Sequence, residues 1–305
     1  MNIKIATILT VYNRKQKTLS CLQHLFEAME SYNQLATEPI TTTVFLTDDG
    51  CTDGTADAVR DTFSNRDIHI IKGTGKLFWA GGMRLAWQTA IDSGTTWDYY
   101  LLLNDDTYVW TNVFSELFEA DNHGFCQAGC HGLSSGITCQ PGNKDDISYG
   151  GLNFVNWTKG RQVLLHPTKT PQRIDLTHAN ILLVHHTVVD KIGIFHKSYT
   201  HGCADNDYSM TAHRHAIPVF STSNVCGECA YDHHSQQEEA QMLTTLSLSE
   251  RKKYVNSPKH SDHDYLLFVR RNIPIRLPFA IIMRTIRIYF PKLYYCITNL
   301  RGVYK

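Results

Sequence analysis

Tyr99–Trp110 reads YYLLLNDDTYVW, and the fold class turns on it. An apolar run, Tyr99 to Leu103, ends abruptly in Asn104-Asp105-Asp106. A run this short, closed by polar residues, predicts a buried strand. Two adjacent carboxylates at its tip repel each other and lose hydration, so they are costly unless a cation or hydrogen-bond donors hold them. Oxygen ligands in such a place suit Mg2+ or Mn2+, the cations that accompany phosphate groups. Read alone, the triplet is equally an Asp-rich turn, because Asn and Asp are common turn formers.

The segments before it favour the cation reading. Ile3–Leu9, Thr42–Thr47 and Ile68–Ile71 read as three further strands, and Thr18–Tyr32, Thr55–Phe63 and Gly81–Ser93 as helices. Strand and helix alternate four times, which predicts an α/β fold with a mostly parallel sheet and flanking helices. Ligands of such sheets bind beyond the C-terminal strand ends. Each of the four strands ends there in a polar or Gly-rich loop: Thr10–Arg14, Asp48–Gly54, Gly73–Lys76 and Asn104–Thr107. The second half is less regular. Asp121–Gly151 reads as loops with short strands, Leu176–Val184 as a buried strand and Val188–Ile194 as a helix.

The bulk properties bound the function. At 305 residues, 42% apolar and with a formal net charge of zero, the chain is an ordinary globular one with no broad electrostatic attraction to nucleic acid. Nine cysteines are too few for a disulfide scaffold at this length. Met1–Lys4 leads into a strand-like run without a secretory pattern, so the expected compartment is a reducing cytoplasm. From Tyr265 to Lys305 there is no acid, while Arg270, Arg271, Arg276, Arg284, Arg287, Lys292, Arg301 and Lys305 alternate with apolar clusters. A basic amphipathic tail of this kind suits an anionic membrane surface; a tail packed on its own domain with snorkelling arginines is the plainer alternative.

Four segments in order resemble the inverting nucleotide-sugar glycosyltransferases of family 2, with the GT-A fold: Thr10–Arg14, Asp48–Thr55, Leu103–Thr107 and Gly202–Tyr208. Gly75–Met83 and Arg270-Arg271-Asn272 also resemble the bacterial rhamnosyltransferase-like branch, which builds surface polysaccharides. The resemblance implies a role for each segment. Thr10, Tyr12 and Asp49 stand where the family holds the nucleotide base, with Arg14, Lys76, Gly81, Asp105 and Asn180 as further donor-binding candidates. Asp106 matches the metal-binding acid, Asn104 stands where many members carry Asp, and His233 is the candidate diphosphate or metal histidine, ahead of His234. Asp205 matches the base that deprotonates the acceptor hydroxyl; Asp207 and Tyr208 are the candidate acceptor residues. Taken without the family, the acids at 205 and 207 read as the N-terminal cap of a helix. Thr211, Ala216 and Ala204 depart from the family pattern, and they bear on acceptor contacts more than on donor chemistry.

The resemblance thus implies an inverting, Mg2+- or Mn2+-dependent transferase that moves a sugar from a dTDP- or UDP-linked donor to a glycan or lipid-linked saccharide. It would sit peripherally on the inner face of the cell membrane, and a homodimer is compatible with these features. The expected organisation is a nucleotide-sugar half over 1–110, an acceptor and base half over 111–262 and a basic apolar tail over 263–305. Two other readings compete. One is a non-catalytic nucleotide-sugar-binding subunit of a polysaccharide assembly complex. The other gives Cys226-x-x-Cys229, with Cys126 and Cys130, a structural zinc.

Overall fold

The computed structural model describes residues 2–231, 235–260 and 262–302. The first half alternates strictly: β1 (Ile3–Val11), α1 (Lys15–Leu35), β2 (Ile40–Asp48), α2 (Thr55–Thr62), β3 (Ile68–Lys72), α3 (Phe78–Asp92) and β4 (Tyr99–Leu103). The middle holds β5 (Tyr108–Val109), α4 (Val113–Ala128), β6 (Leu133–Gln140), β7 (Asn143–Tyr149), β8 (Gly151–Asn156), β9 (Arg161–Leu164), β10 (Gln172–Arg173), β11 (Leu176–Thr177) and β12 (Ile181–His185). The remainder is α5 (His186–Ile192), α6 (Ala204–Arg214), β13 (Val219–Glu228), α7 (Gln236–Thr245), α8 (Leu248–Val255), α9 (Asp262–Asn272), α10 (Leu277–Tyr289) and α11 (Pro291–Gly302).

The main sheet has the order β10-β13-β6-β12-β4-β1-β2-β3. Strands β3, β2, β1 and β4 are mutually parallel. β12 enters antiparallel between β4 and β6, and β6 is parallel to β13. This is the expected α/β architecture with a mostly parallel sheet. Both faces are buried, as a sheet covered by helices requires. On β1, the two-residue period sends Ile5, Leu9 and Val11 to one face and Ala6 and Ile8 to the other. The first set meets α1 through Leu22, Leu25 and Phe26 and α4 through Val113, Phe114 and Leu117. The second meets α3 through Met83, Ala86 and Trp87. Burying each such side chain stabilises the fold by about 1.5–3 kcal/mol before entropy is counted.

Gly82 sets how closely α3 approaches β1. A Cβ there would lie 2.0 Å from Thr10 Oγ1, so only glycine fits. Its carbonyl accepts the Thr47 hydroxyl at 2.9 Å, which pins α3 beneath the loops that follow β1 and β2.

The structure departs from the sequence reading between 113 and 185. The segment expected to be loops with short strands, Asp121–Gly151, holds the C-terminal half of α4 and the strand β6, which lies inside the sheet. β6 escapes notice because Leu133-Ser-Ser-Gly-Ile-Thr-Cys carries little apolar surface. Some of its hydroxyls are matched inside, as with Thr138 and Ser148 at 2.9 Å, while Ser134 Oγ is buried without a partner among the described residues. The strand expected over Leu176–Val184 is two: β11 belongs to a separate three-stranded sheet with β8 and β9, and β12 to the main one.

The C-terminal segment folds back on the domain. Phe268 and Val269 of α9 join the main core, and Tyr294 of α11 packs on Ala240 and Leu243 of α7. Some of its arginines are matched by acids. Arg271 pairs with Asp207 at 2.9 Å, and Arg287 pairs with Glu239 and Asp262. The absence of acids after Tyr265 is therefore offset in part in three dimensions, at Arg271 and Arg287. Among the described residues, no helix is long and apolar enough to cross a membrane.

Candidate active site

The parallel strands end at one edge, where Val11, Asp48, Lys72 and Leu103 are followed by the four loops singled out in the sequence. The start of β12 lies level with the end of β4, Ile181 opposite Leu103, so Asn180 arrives beside Asn104. Asn104 N donates to Asn180 O at 3.1 Å. A cavity of about 560 Å³ opens at this edge, lined in part by Thr10, Tyr12, Arg14, Asp49 and Asp105.

Asp105 lines it, and Asp106 follows directly in the chain. Arg14 Nη1 lies 3.2 Å from Asp105 Oδ1 and 2.6 Å from Asp106 Oδ2, and Lys17 Nζ lies 3.8 Å from the latter oxygen. Burial pushes the Asp105 carboxyl up to about 7, although Arg14 pulls the other way. Its second oxygen, Oδ2, is buried without a hydrogen-bond partner among the described residues. An orphaned, buried carboxylate oxygen beside a second carboxylate fits a divalent cation. No group of three or more His, Cys, Asp or Glu side chains gathers into a cage among the described residues. Mg2+ or Mn2+ would thus take one or two carboxylates here and fill its shell from phosphates and water. Asn104 is engaged elsewhere: its side-chain oxygen accepts Trp79 Nε1–H at 2.8 Å.

Asp49 organises the opposite wall. Its carboxylate accepts the backbone N–H of Gly75 at 2.7 Å, Leu77 at 2.9 Å and Phe78 at 3.0 Å. These bonds fold the loop after β3 against the N-terminus of α3. They hold Phe78 at φ 54, a left-handed conformation that an aromatic residue adopts only when its surroundings impose it. Phe78 and His201 meet edge to face across the cavity mouth, while Tyr12 stands 58% exposed on the loop after β1. Aromatic rings and the Arg14 guanidinium around one opening make a pocket suited to a flat heterocycle and an anionic tail.

The fourth motif lies at the N-terminus of α6. Cys203 caps that helix at φ 61, which turns the chain sharply before Ala204 and Asp205. Asp205 is half-buried. It accepts Ala179 N–H at 3.0 Å, immediately before Asn180, and Asn206 N–H at 2.9 Å. Burial raises its carboxyl above the ordinary range, opposed by His178. The preceding loop is fastened by Asp264 of α9, whose Oδ2 accepts the amides of Thr200, His201 and Gly202 at 3.1, 2.7 and 3.0 Å.

The structure thus brings Thr10, Tyr12, Arg14, Asp49, Asp105 and Asp106 together, with Asn180 behind them and Asp205 one loop away. Lys76 is exposed on the neighbouring loop, and Gly81 is buried in α3 against Leu77. Two acceptor assignments need correction. Asp207 is only 2% exposed and is held by Arg271 Nε at 2.9 Å and Asn272 Nδ2 at 2.8 Å, so it anchors α9 to α6. Tyr208 packs on Trp87 and Phe195 in the core and donates its hydroxyl to Gly193 O at 2.8 Å. The two cysteines of the CxxC hold different partners, Cys226 the carbonyl of Ile137 and Cys229 the side chains of Asn180 and Asp106. Burial, together with Asp106, pushes Cys229 up to about 11, a neutral thiol. His233, like His234, lies outside the described residues.

The sequence reading misses Lys17, Phe78, Trp79, His201, Lys259 and Asp264. Trp79, His201 and Lys259 line the cavity with no motif of their own, and Asp264 fastens the loop before α6 from a distant helix. Trp79 falls inside the Gly75–Met83 segment and His201 directly precedes Gly202, so adjacency is the available signal for those two. Nothing local points to Lys259 or Asp264.

No protein-family model and no curated protein matches the sequence. Among solved structures, the chain is similar to residues 1–349 of S. aureus TarS, at 14% identity and a TM-score of 0.48 over 85% of this chain and 68% of that one. The same protein in complex with UDP gives 13%, 0.49, 88% and 71%. In complex with UDP-GlcNAc it gives 13%, 0.49, 85% and 70%. At these values the likeness is one of chain path, and the chemistry of the site has to speak for function.

Proposed function

We propose that the chain is an inverting glycosyltransferase that uses a uracil or thymine nucleotide-diphosphate sugar. The observation that carries this reading is the Asp105–Asp106 pair, with the orphaned oxygen of Asp105 and the Arg14 counter-charge, beside an aromatic-walled cavity that Asp105 and Arg14 line. Tyr12 and Phe78 would flank the base, with Asp49 holding the loop that forms its wall. Arg14 and Lys17 would meet the diphosphate with charge-assisted hydrogen bonds. Asp105 and Asp106 would hold Mg2+ or Mn2+, which when bound supplies charge for the departing nucleotide diphosphate.

The chain's own acid–base step belongs to Asp205. It takes the proton from the acceptor hydroxyl as that oxygen bonds to C1 from the face opposite the leaving group. The C1–O bond to the diphosphate breaks, and its electron pair leaves with the nucleotide. The raised pKa of Asp205 brings it nearer to that of the hydroxyl whose proton it takes. A panel of nucleotide sugars read by thermal shift with Mn2+ tests the donor. Stabilisation by UDP- or dTDP-sugars, and none by purine nucleotides, is expected; the reverse order would contradict it.

The finer assignments follow the sequence resemblance. The rhamnosyltransferase-like branch is supported by Gly75–Met83 and by Arg271 and Asn272. A peripheral place on an anionic membrane is supported by exposed apolar side chains on α10, on α11 and at the residue that joins them, among them Ile282, Leu293 and Phe290.

A further inference from the structure

A second cavity, of about 1120 Å³, lies between the β8–β9 hairpin and helices α9 to α11. The donor reading leaves it unused. Its lining includes Lys159, Arg161, Arg276, Arg284 and Arg287 against the acids Glu239 and Asp262. Arg287 pairs with both acids, and Arg284 lies 3.8 Å from Asp262. Lys159, Arg161 and Arg276 therefore face no carboxylate partner among the described residues. Arg287 Nε is also buried without a hydrogen-bond partner among them.

The cationic rim is built into the backbone. Gly160 has φ +57, and a Cβ there would fall 1.8 Å from Arg276 Nη1. Glycine at the hairpin turn thus lets the guanidinium from the turn before α10 seat against the backbone between Lys159 and Arg161. Leu266, Ile275, Phe279 and Met283 supply apolar lining to the same space. A cluster of unmatched positive charge beside an apolar wall recognises an anion joined to a hydrocarbon, because each half is satisfied only by its own kind of partner.

The place of this cavity gives it a role. Cys203 lines it while His201 lines the donor cavity, and His260 lines it while Lys259 lines the donor cavity. Residues 201–203 and 259–260 thus contribute to both linings, and Asp205 stands two residues beyond Cys203. We propose that the second cavity is the acceptor site, and that the acceptor carries a phosphate group on a hydrocarbon chain. The phosphate sits at Lys159, Arg161 and Arg276, the hydrocarbon lies along Ile275, Phe279 and Met283, and the hydroxyl to be glycosylated points toward Asp205. The acceptor role rests on the glycosyltransferase reading; the binding site itself does not.

Calorimetric titration of the full chain with octyl phosphate, octanol and inorganic phosphate tests this. Octyl phosphate should bind at least tenfold more tightly than either of the others. Lys159→Gln/Arg161→Gln, on an exposed turn where folding is unaffected, should weaken it about tenfold, and Arg276→Gln should do the same. UDP affinity with Mn2+ should be unchanged in all of them. Equal binding of octanol, or of inorganic phosphate, would overturn the proposal, as would variants that bind octyl phosphate like the parent. Octyl phosphate binding without UDP binding would instead overturn the donor reading and leave this site standing.

Discussion

Arg14 Nη1 lies 2.6 Å from Asp106 Oδ2 and 3.2 Å from Asp105 Oδ1, so one guanidinium bridges both acids of the strand tip. A divalent cation would compete for the same charge. Arg14→Gln should therefore lower the thermal midpoint by about 2 °C in metal-free buffer, as loss of one charge-assisted pair implies. Added Mn2+ should raise the variant's midpoint by more than the parent's, because the unpaired carboxylates gain more from binding. Scanning fluorimetry reads both, and identical Mn2+ responses would show that Arg14 and the cation do not share these acids.

Asp207 and Arg271 tie the fourth motif to α9 through a buried carboxylate. Removing one partner of such a pair leaves an uncompensated charge. Asp207→Asn should cost about 3 kcal/mol in urea unfolding, with UDP affinity retained. Full stability with lost transfer would restore Asp207 to the acceptor site.

His185 stacks on His131 at 4.0 Å between ring centroids, near His186, Asp121, Asp98 and Tyr99. Burial, then His131, lowers its pKa from 6.5 to about 4. Between these values the unfolded chain binds a proton that the folded chain refuses, so stability falls as pH drops through that window. His185→Asn should flatten the decline in unfolding midpoint between about pH 6.5 and 4. Parallel profiles for variant and parent would place the acid sensitivity elsewhere.

The sheet edge is legible in the sequence because its signals are local. Each of β1 to β4 announces itself by an apolar run closed by Asn, Asp or Gly, and a parallel sheet brings such closures to one side. What is not legible depends on distant partners. Asp49 reads as a base-contacting acid or a turn residue until Gly75, Leu77 and Phe78 fold onto it. Asp207 reads as a cap or an acceptor contact until Arg271 arrives from 64 positions away. Arg287 reads as a membrane-facing cation before Asp262 and Glu239 meet it. β6 stays hidden because hydroxyls, not apolar side chains, fill much of its interior.

The tail also presents apolar side chains to its surroundings. Ile282 and Phe290 are 55% and 59% exposed. Ile282→Glu/Phe290→Glu should reduce sedimentation with anionic vesicles several-fold while the thermal midpoint holds. Undiminished sedimentation would remove α10 and its join to α11 as the contact.

Asp205 carries the proposed chemistry, and its replacement is the most direct test. Transfer from a UDP- or dTDP-sugar and nucleotide affinity should be measured side by side for the parent and Asp205→Asn. Turnover should fall by at least about a hundredfold, the scale of a lost general base, with nucleotide affinity within about twofold. Turnover that survived the substitution would contradict the account.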